Sequence, residues 1–134
     1  MTRTVLAAVL ALAAAFASTA RAEDPVVVKP VQSEKLPNVP GKSLTAVHVS
    51  YAPGGKSTSH RHAGSVFVYV LSGQVRSEVS GMGPARVYKA GETFFEPPGS
   101  AHLVSENASA TEPASILAVF VADDGAKLTT YDAK

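Results

Sequence analysis

The chain has 134 residues, enough for one domain, and a formal net charge of +1, which gives no electrostatic case for nucleic acid or an anionic membrane surface. Charged residues are 17% and apolar residues 46%, so a hydrophobic core is within reach. Cysteine is absent, which excludes disulfides, thiolate metal ligands and a cysteine nucleophile, so any metal must be held by nitrogen or oxygen.

Residues 1–22 read as a secretory signal peptide. Arg3 supplies a positive start, residues 5–17 are continuously apolar, and Ala20-Arg21-Ala22 fits a small-x-small cleavage pattern. The apolar run falls short of the roughly 20 residues of a bilayer span. Cleavage after Ala22 would remove Arg3 and Arg21, leaving ten basic against eleven acidic residues, net −1. The expected location is the periplasm or the exterior, with no stable membrane insertion after cleavage.

Residues 23–43 contain Pro25, Pro30, Pro37 and Pro40 and read as an extended arm with one short strand at most. The domain proper is expected over 44–134. Strand signals fall at 44–51, 66–71, 74–79, 85–88, 93–95, 102–105 and 116–121, with a last short one at 128–131. Gly and Pro clusters punctuate them, and no segment after residue 22 shows a helical apolar period. The expectation is an all-β sandwich or barrel.

The chemistry centres on histidine, of which the chain has four. His60 and His62 stand at i and i+2, so an extended strand would aim both imidazoles at one point. His102 follows Pro97-Pro98-Gly99 in another segment and also begins an apolar strand. Three neutral nitrogen ligands from two strands would leave coordination positions open, the mark of a catalytic or ligand-binding metal rather than a closed structural one. His48 alternates with Val47 and Val49 and is expected on the opposite, outer face. Arg61, between two candidate ligands, is expected to point away from them, and Lys56 lies near the same segment.

Two segments carry a family resemblance. Gly54-x5-His60-x-His62-x3-Val66-x6-Gly73 resembles the first cupin motif, G-x5-H-x-H-x3,4-E-x6-G. Gly91-x5-Pro97-x-Gly99-x2-His102 resembles the second, G-x5-P-x-G-x2-H-x3-N. The resemblance implies a double-stranded β-helix (the cupin or jelly-roll barrel) with one divalent metal ion held by His60, His62 and His102 at a mouth of the barrel. Fe, Zn, Mn, Ni and Cu all remain open as the ion. Three-histidine members include oxygen-activating iron dioxygenases, so the resemblance implies a small-molecule dioxygenase-like enzyme, with a non-catalytic periplasmic ligand-binding or sensing module as the alternative.

The chain departs from the motifs at two places. The family's glutamate falls on Val66, and the asparagine falls on Glu106, with Asn107 one residue later. Glu106 is expected to be a solvated loop carboxylate. With no carboxylate among the ligands, the ion would keep its full +2 charge in dry surroundings and favour an anionic or chelating oxygen ligand. No catalytic acid or base is evident. Tyr51, Tyr69 and Glu96 are candidate pocket groups for which packing or surface roles are the preferred reading, and alternation sets Tyr69 with Phe67 on the face opposite Val66. Those two aromatics and the apolar strand at 116–121 lead us to expect a homodimer.

Overall fold

The computed structural model describes residues 24–133, so the expected signal peptide lies outside the described residues. Ten strands follow in chain order: β1 Val26–Lys35, β2 Lys42–Tyr51, β3 His60–His62, β4 Ser65–Ser72, β5 Gln74–Val79, β6 Arg86–Lys89, β7 Thr93–Glu96, β8 Ala101–Asn107, β9 Ala114–Asp123 and β10 Thr129–Tyr131. Among the described residues there is no helix.

The strands form two five-stranded antiparallel sheets, in the order β1-β2-β9-β4-β7 and β10-β3-β8-β5-β6. This is the all-β double-stranded β-helix that the motifs imply. Strict alternation explains why each strand forms and which face it buries. In β4, Val66, Val68 and Val70 are buried and Phe67, Tyr69 and Leu71 are exposed. In β9, Ile116, Ala118 and Phe120 point inward between half-buried residues. These side chains join Val49, Tyr51, Val75 and Phe94 in one core between the sheets.

Segment 23–43 is more ordered than an arm with one short strand. About half of it is the ten-residue strand β1, paired with β2 along almost its whole length. Pro30 is tolerated because β1 is an edge strand with a neighbour on one side only, and the register shifts between Pro30 and Gln32. β2 begins at Lys42, two residues earlier than the sequence suggests.

Two motif glycines have backbone reasons. At Gly73 the chain turns from β4 to β5 with φ +68°, and a Cβ there would lie 2.4 Å from the Pro113 carbonyl oxygen. Gly99 has φ +72°, and its N–H donates to the His62 carbonyl at 2.9 Å, tying the second motif's turn to the first motif's strand.

Candidate metal centre

β3 is only three residues long, but it sets the site. His60 and His62 are buried and Arg61 between them is exposed. Arg61 points away, as expected, donating to the Gly99 carbonyl at 3.1 Å and pairing with Asp132 at 3.5 Å. β8 runs beside β3 with His102 directly opposite His60. The ring centroids lie 4.8 Å apart for His60 and His62 and 5.0 Å apart for His60 and His102. One ligand atom from each of the three histidines lies within 4.8 Å of the others.

Each imidazole is held in place by a second partner. His60 Nδ1 is 2.7 Å from the Thr58 carbonyl oxygen and His62 Nδ1 is 3.0 Å from that of Leu128. A carbonyl can only accept, so these Nδ1 atoms carry the protons, and each Nε2 keeps a free lone pair. His102 Nε2 lies 2.8 Å from the buried Ser77 hydroxyl, which leaves its Nδ1 facing the cavity. Burial pushes the pKa of both His60 and His62 below the ordinary histidine value, against the pull of the carbonyls and of Glu96. Both are therefore neutral at pH 7, the form that donates to a metal.

Glu96, at the end of β7, is 2% exposed. Its Oε1 is 3.2 Å from His102 Nδ1 and its Oε2 is 3.7 Å from His62 Nε2. Oε2 is buried and has no hydrogen-bond partner. The carboxylate thus bridges two of the three histidines, where sequence reasoning preferred a packing or surface role. The signal that could have found it is alternation: Phe94 points inward, so Glu96 two residues on does too.

The other candidates separate cleanly. Tyr51 is buried, lines the cavity, and shares a 2.8 Å hydrogen bond with Ser105. Burial pushes its pKa up to about 12, so it stays protonated. Tyr69 is 40% exposed on the outer face, as alternation requires. His48 also lies outside the cavity, 3.4 Å from the Ser50 hydroxyl. Glu106 is half-buried on β8 and pairs with Lys56 at 3.7 Å, rather than sitting free in a loop. Asn107 is buried, with its amide donating to the carbonyls of Ala52 and Glu112 and its oxygen accepting from the Ser109 N–H.

The three histidines and Glu96 line one cavity that opens to solvent. Phe120 stands edge-on to His62 at 4.9 Å, and Val49, Val68, Ile116 and Ala118 complete apolar walls. Tyr131 tilts against His60 at 5.7 Å near the mouth. The donor set suits a divalent first-row ion: neutral imidazole nitrogens lie close together, and a buried carboxylate oxygen without a hydrogen-bond partner lies 3.7 Å from one of them. At about 2.1 Å per nitrogen an ion holds its ligands no more than roughly 4.2 Å apart, so binding would draw the cluster slightly inward.

Comparison with known proteins agrees with this geometry. Residues 47–120 match the family described as Cupin domain. A germin-like protein (subfamily 2 member 2) from Arabidopsis thaliana is 34% identical over 93 residues, 65% of this chain and 41% of that protein. The chain therefore spans about two fifths of the length of that curated relative. A cupin-like protein from Thermotoga maritima superposes with a TM-score of 0.63 at 21% identity, covering 81% of this chain and 77% of its own. Oxalate oxidase in complex with the substrate analogue glycolate gives 0.63 at 22% identity, covering 82% and 56%. A DMSP lyase from Ruegeria pomeroyi gives 0.64 at 20% identity, covering 81% and 52%. At these identities the structural likenesses establish the fold alone. With more than half its length matched to the family, and the motif residues gathered at one cavity, the chain belongs to the cupin domain family.

Proposed function

We propose that this protein is a metal-dependent cupin that binds one divalent ion through His60, His62 and His102 and acts on a small anionic or chelating oxygen ligand with dioxygenase-like chemistry. The observation that carries the reading is the convergence of three buried, separately anchored histidines on one cavity with an open mouth. The bound ion would supply Lewis-acid or redox chemistry to an oxygen ligand. The chain's residues do the rest. Val68, Ile116, Ala118 and Phe120 exclude water and lower the local dielectric. The Thr58 and Leu128 carbonyls hold His60 and His62 in the donating tautomer, and the Ser77 hydroxyl holds His102. Oxalate oxidase among the structural neighbours supports a small carboxylate as the first ligand to try.

One observation favours a second reading, a ligand-binding module. The Tyr51 hydroxyl is tied to Ser105 and keeps its proton up to about pH 12, so it is not a ready base for turnover. We further propose secretion, with cleavage after Ala22, and a homodimer formed through the outer face of the first sheet, where Phe67, Tyr69 and Phe95 are exposed.

The test is metal analysis followed by oxygen uptake. Protein purified from its own host should carry one divalent ion per chain, and His102→Ala should lose it. Loaded protein should consume oxygen with a small hydroxy acid, dicarboxylate or diketone. Ligand binding without consumption selects the binding module, and a metal-free wild type refutes both readings.

A further inference from the structure

We infer that Glu96 is a fourth ligand of the metal centre and restores, from the neighbouring strand, the carboxylate that Val66 removes from the first motif. The inference rests on the reading that His60, His62 and His102 hold a divalent ion. Val66 and Glu96 are direct register partners between β4 and β7. Opposite residues in an antiparallel pair share a face, and both side chains are buried, at 0% and 2% exposure. A carboxylate moved from position 66 to position 96 therefore stays on the same inner face of the same sheet, displaced by one strand spacing.

Four observations place the Glu96 carboxylate at the ion rather than in a merely structural role. It lies against His62 and His102 together, at 3.7 Å and 3.2 Å. It lines the cavity that the histidines line. Its Oε2 is buried without a hydrogen-bond partner, an expensive state for a carboxylate unless a cation satisfies it. Among the described residues no lysine or arginine pairs with it, and the basic side chains within 4.0 Å of it are the two histidines alone. With Glu96 bound, a divalent ion would carry a net charge of +1, against the +2 expected of three neutral ligands alone.

The experiment compares the full chain, Glu96→Gln, and the transposed variant Val66→Glu/Glu96→Val. It measures Mn(II) and Co(II) affinity by calorimetry, the visible spectrum of the Co(II) form, and acetate affinity of the loaded protein. Glu96→Gln should weaken metal binding by at least roughly tenfold, change the cobalt spectrum, and tighten acetate binding because the ion regains its full charge. The transposed variant should recover metal affinity to within a few-fold. A Glu96 that only oriented His102 would also weaken metal binding on becoming glutamine, but would leave the cobalt spectrum and the acetate affinity as in the wild type. Metal affinity within threefold of wild type with an unchanged cobalt spectrum overturns the inference and leaves the three-histidine reading standing. Failure of the wild type to bind either ion overturns that reading itself. If Glu96→Gln does not fold, the transposed variant decides: recovery of metal binding supports the inference, and a folded protein without it overturns it.

Discussion

Val66→Glu, the substitution that restores the family's first motif, should destabilise the metal-free protein. Val66 is fully buried and sits opposite Glu96. Opposed Cβ atoms in an antiparallel pair are about 5 Å apart. Two carboxylates at that separation repel by roughly 3 kcal/mol at an effective dielectric of 20. The introduced carboxyl can escape by keeping a proton. From an unperturbed glutamate value of about 4.3, that costs about 3.7 kcal/mol at pH 7 but only about 1 kcal/mol at pH 5. Repulsion and protonation therefore set similar ceilings at neutral pH. Overpacking adds roughly 1–3 kcal/mol, since a glutamate replaces a valine in a filled core. The expected loss is about 4–6 kcal/mol at pH 7, a large share of the 5–15 kcal/mol of a whole domain. Glu96→Val in the same chain removes the repulsion and conserves the summed volume, so the double variant should regain most of the loss. Urea denaturation of the metal-free proteins at pH 7 and pH 5, arranged as a double-mutant cycle, measures the coupling. A coupling below about 1 kcal/mol at pH 7, or one that does not shrink at pH 5, would refute the adjacency of the two side chains at positions 66 and 96 on the inner face of the sheet.

Three other expectations follow from the same site and its surroundings. The pKa values of His60 and His62 are lower in the folded state, so the unfolded chain takes up more protons as pH falls below about 6.5. Their stabilising contribution to the metal-free protein is complete above that pH and is lost as pH drops through the folded values. The fall in melting temperature from pH 7 to pH 5 should accordingly be smaller in the His60→Ala/His62→Ala protein, and an identical fall in both would sink the assignment. Asn107→Ala removes three part-buried hydrogen bonds and leaves the Glu112 carbonyl without the amide, at a cost of about 2–4 kcal/mol in urea denaturation. A cost under 1 kcal/mol would show that water replaces the amide there. For the dimer, light scattering at micromolar concentration should give twice the chain mass, and Phe67→Ser/Tyr69→Ser should halve it. A wild-type monomer ends that proposal.

Much of the barrel is legible in the linear sequence because its strands are half-buried and alternate. Val66, Val68 and Val70 face in, Phe67 and Tyr69 face out, and Gly73 and Gly91 punctuate the turns. β5 falls at 74–79, as the alternation suggests. β1 is less legible, since four prolines argue against a strand. What permits it is its place at the sheet edge, beside a register shift just after Pro30, and edge position is a long-range property. His60, His62 and His102 are legible because spacing within each motif is local. Their closeness depends on the β3–β8 register, which no local pattern encodes.

Glu96 marks the point where local reading stops. A strand expected to end at Phe95, just before Pro97-Pro98, leaves Glu96 in a turn, whereas β7 extends one residue further and turns the carboxylate inward beside Phe94. Motif comparison assigns the charge of the site from position 66 alone, yet the electrostatics of a cavity depend on what faces it and not on which strand a ligand comes from. Val66 and Glu96 are thirty positions apart in sequence and adjacent in register, so the same inner face can lose a carboxylate at one position and hold one at the other. The pair also accounts for why valine suits position 66. A second carboxylate there would leave one divalent ion to neutralise two charges in the ligand-bound state, with none to do so in the metal-free state, whereas a buried valine keeps the wall apolar beside a single carboxyl group. With Glu96 bound as proposed, the centre would retain one net positive charge, which a single carboxylate ligand would neutralise, while a dianion would leave buried negative charge in a dry cavity. The preference this sets is for ligands that present one charged oxygen and a neutral second donor, as a hydroxy acid does.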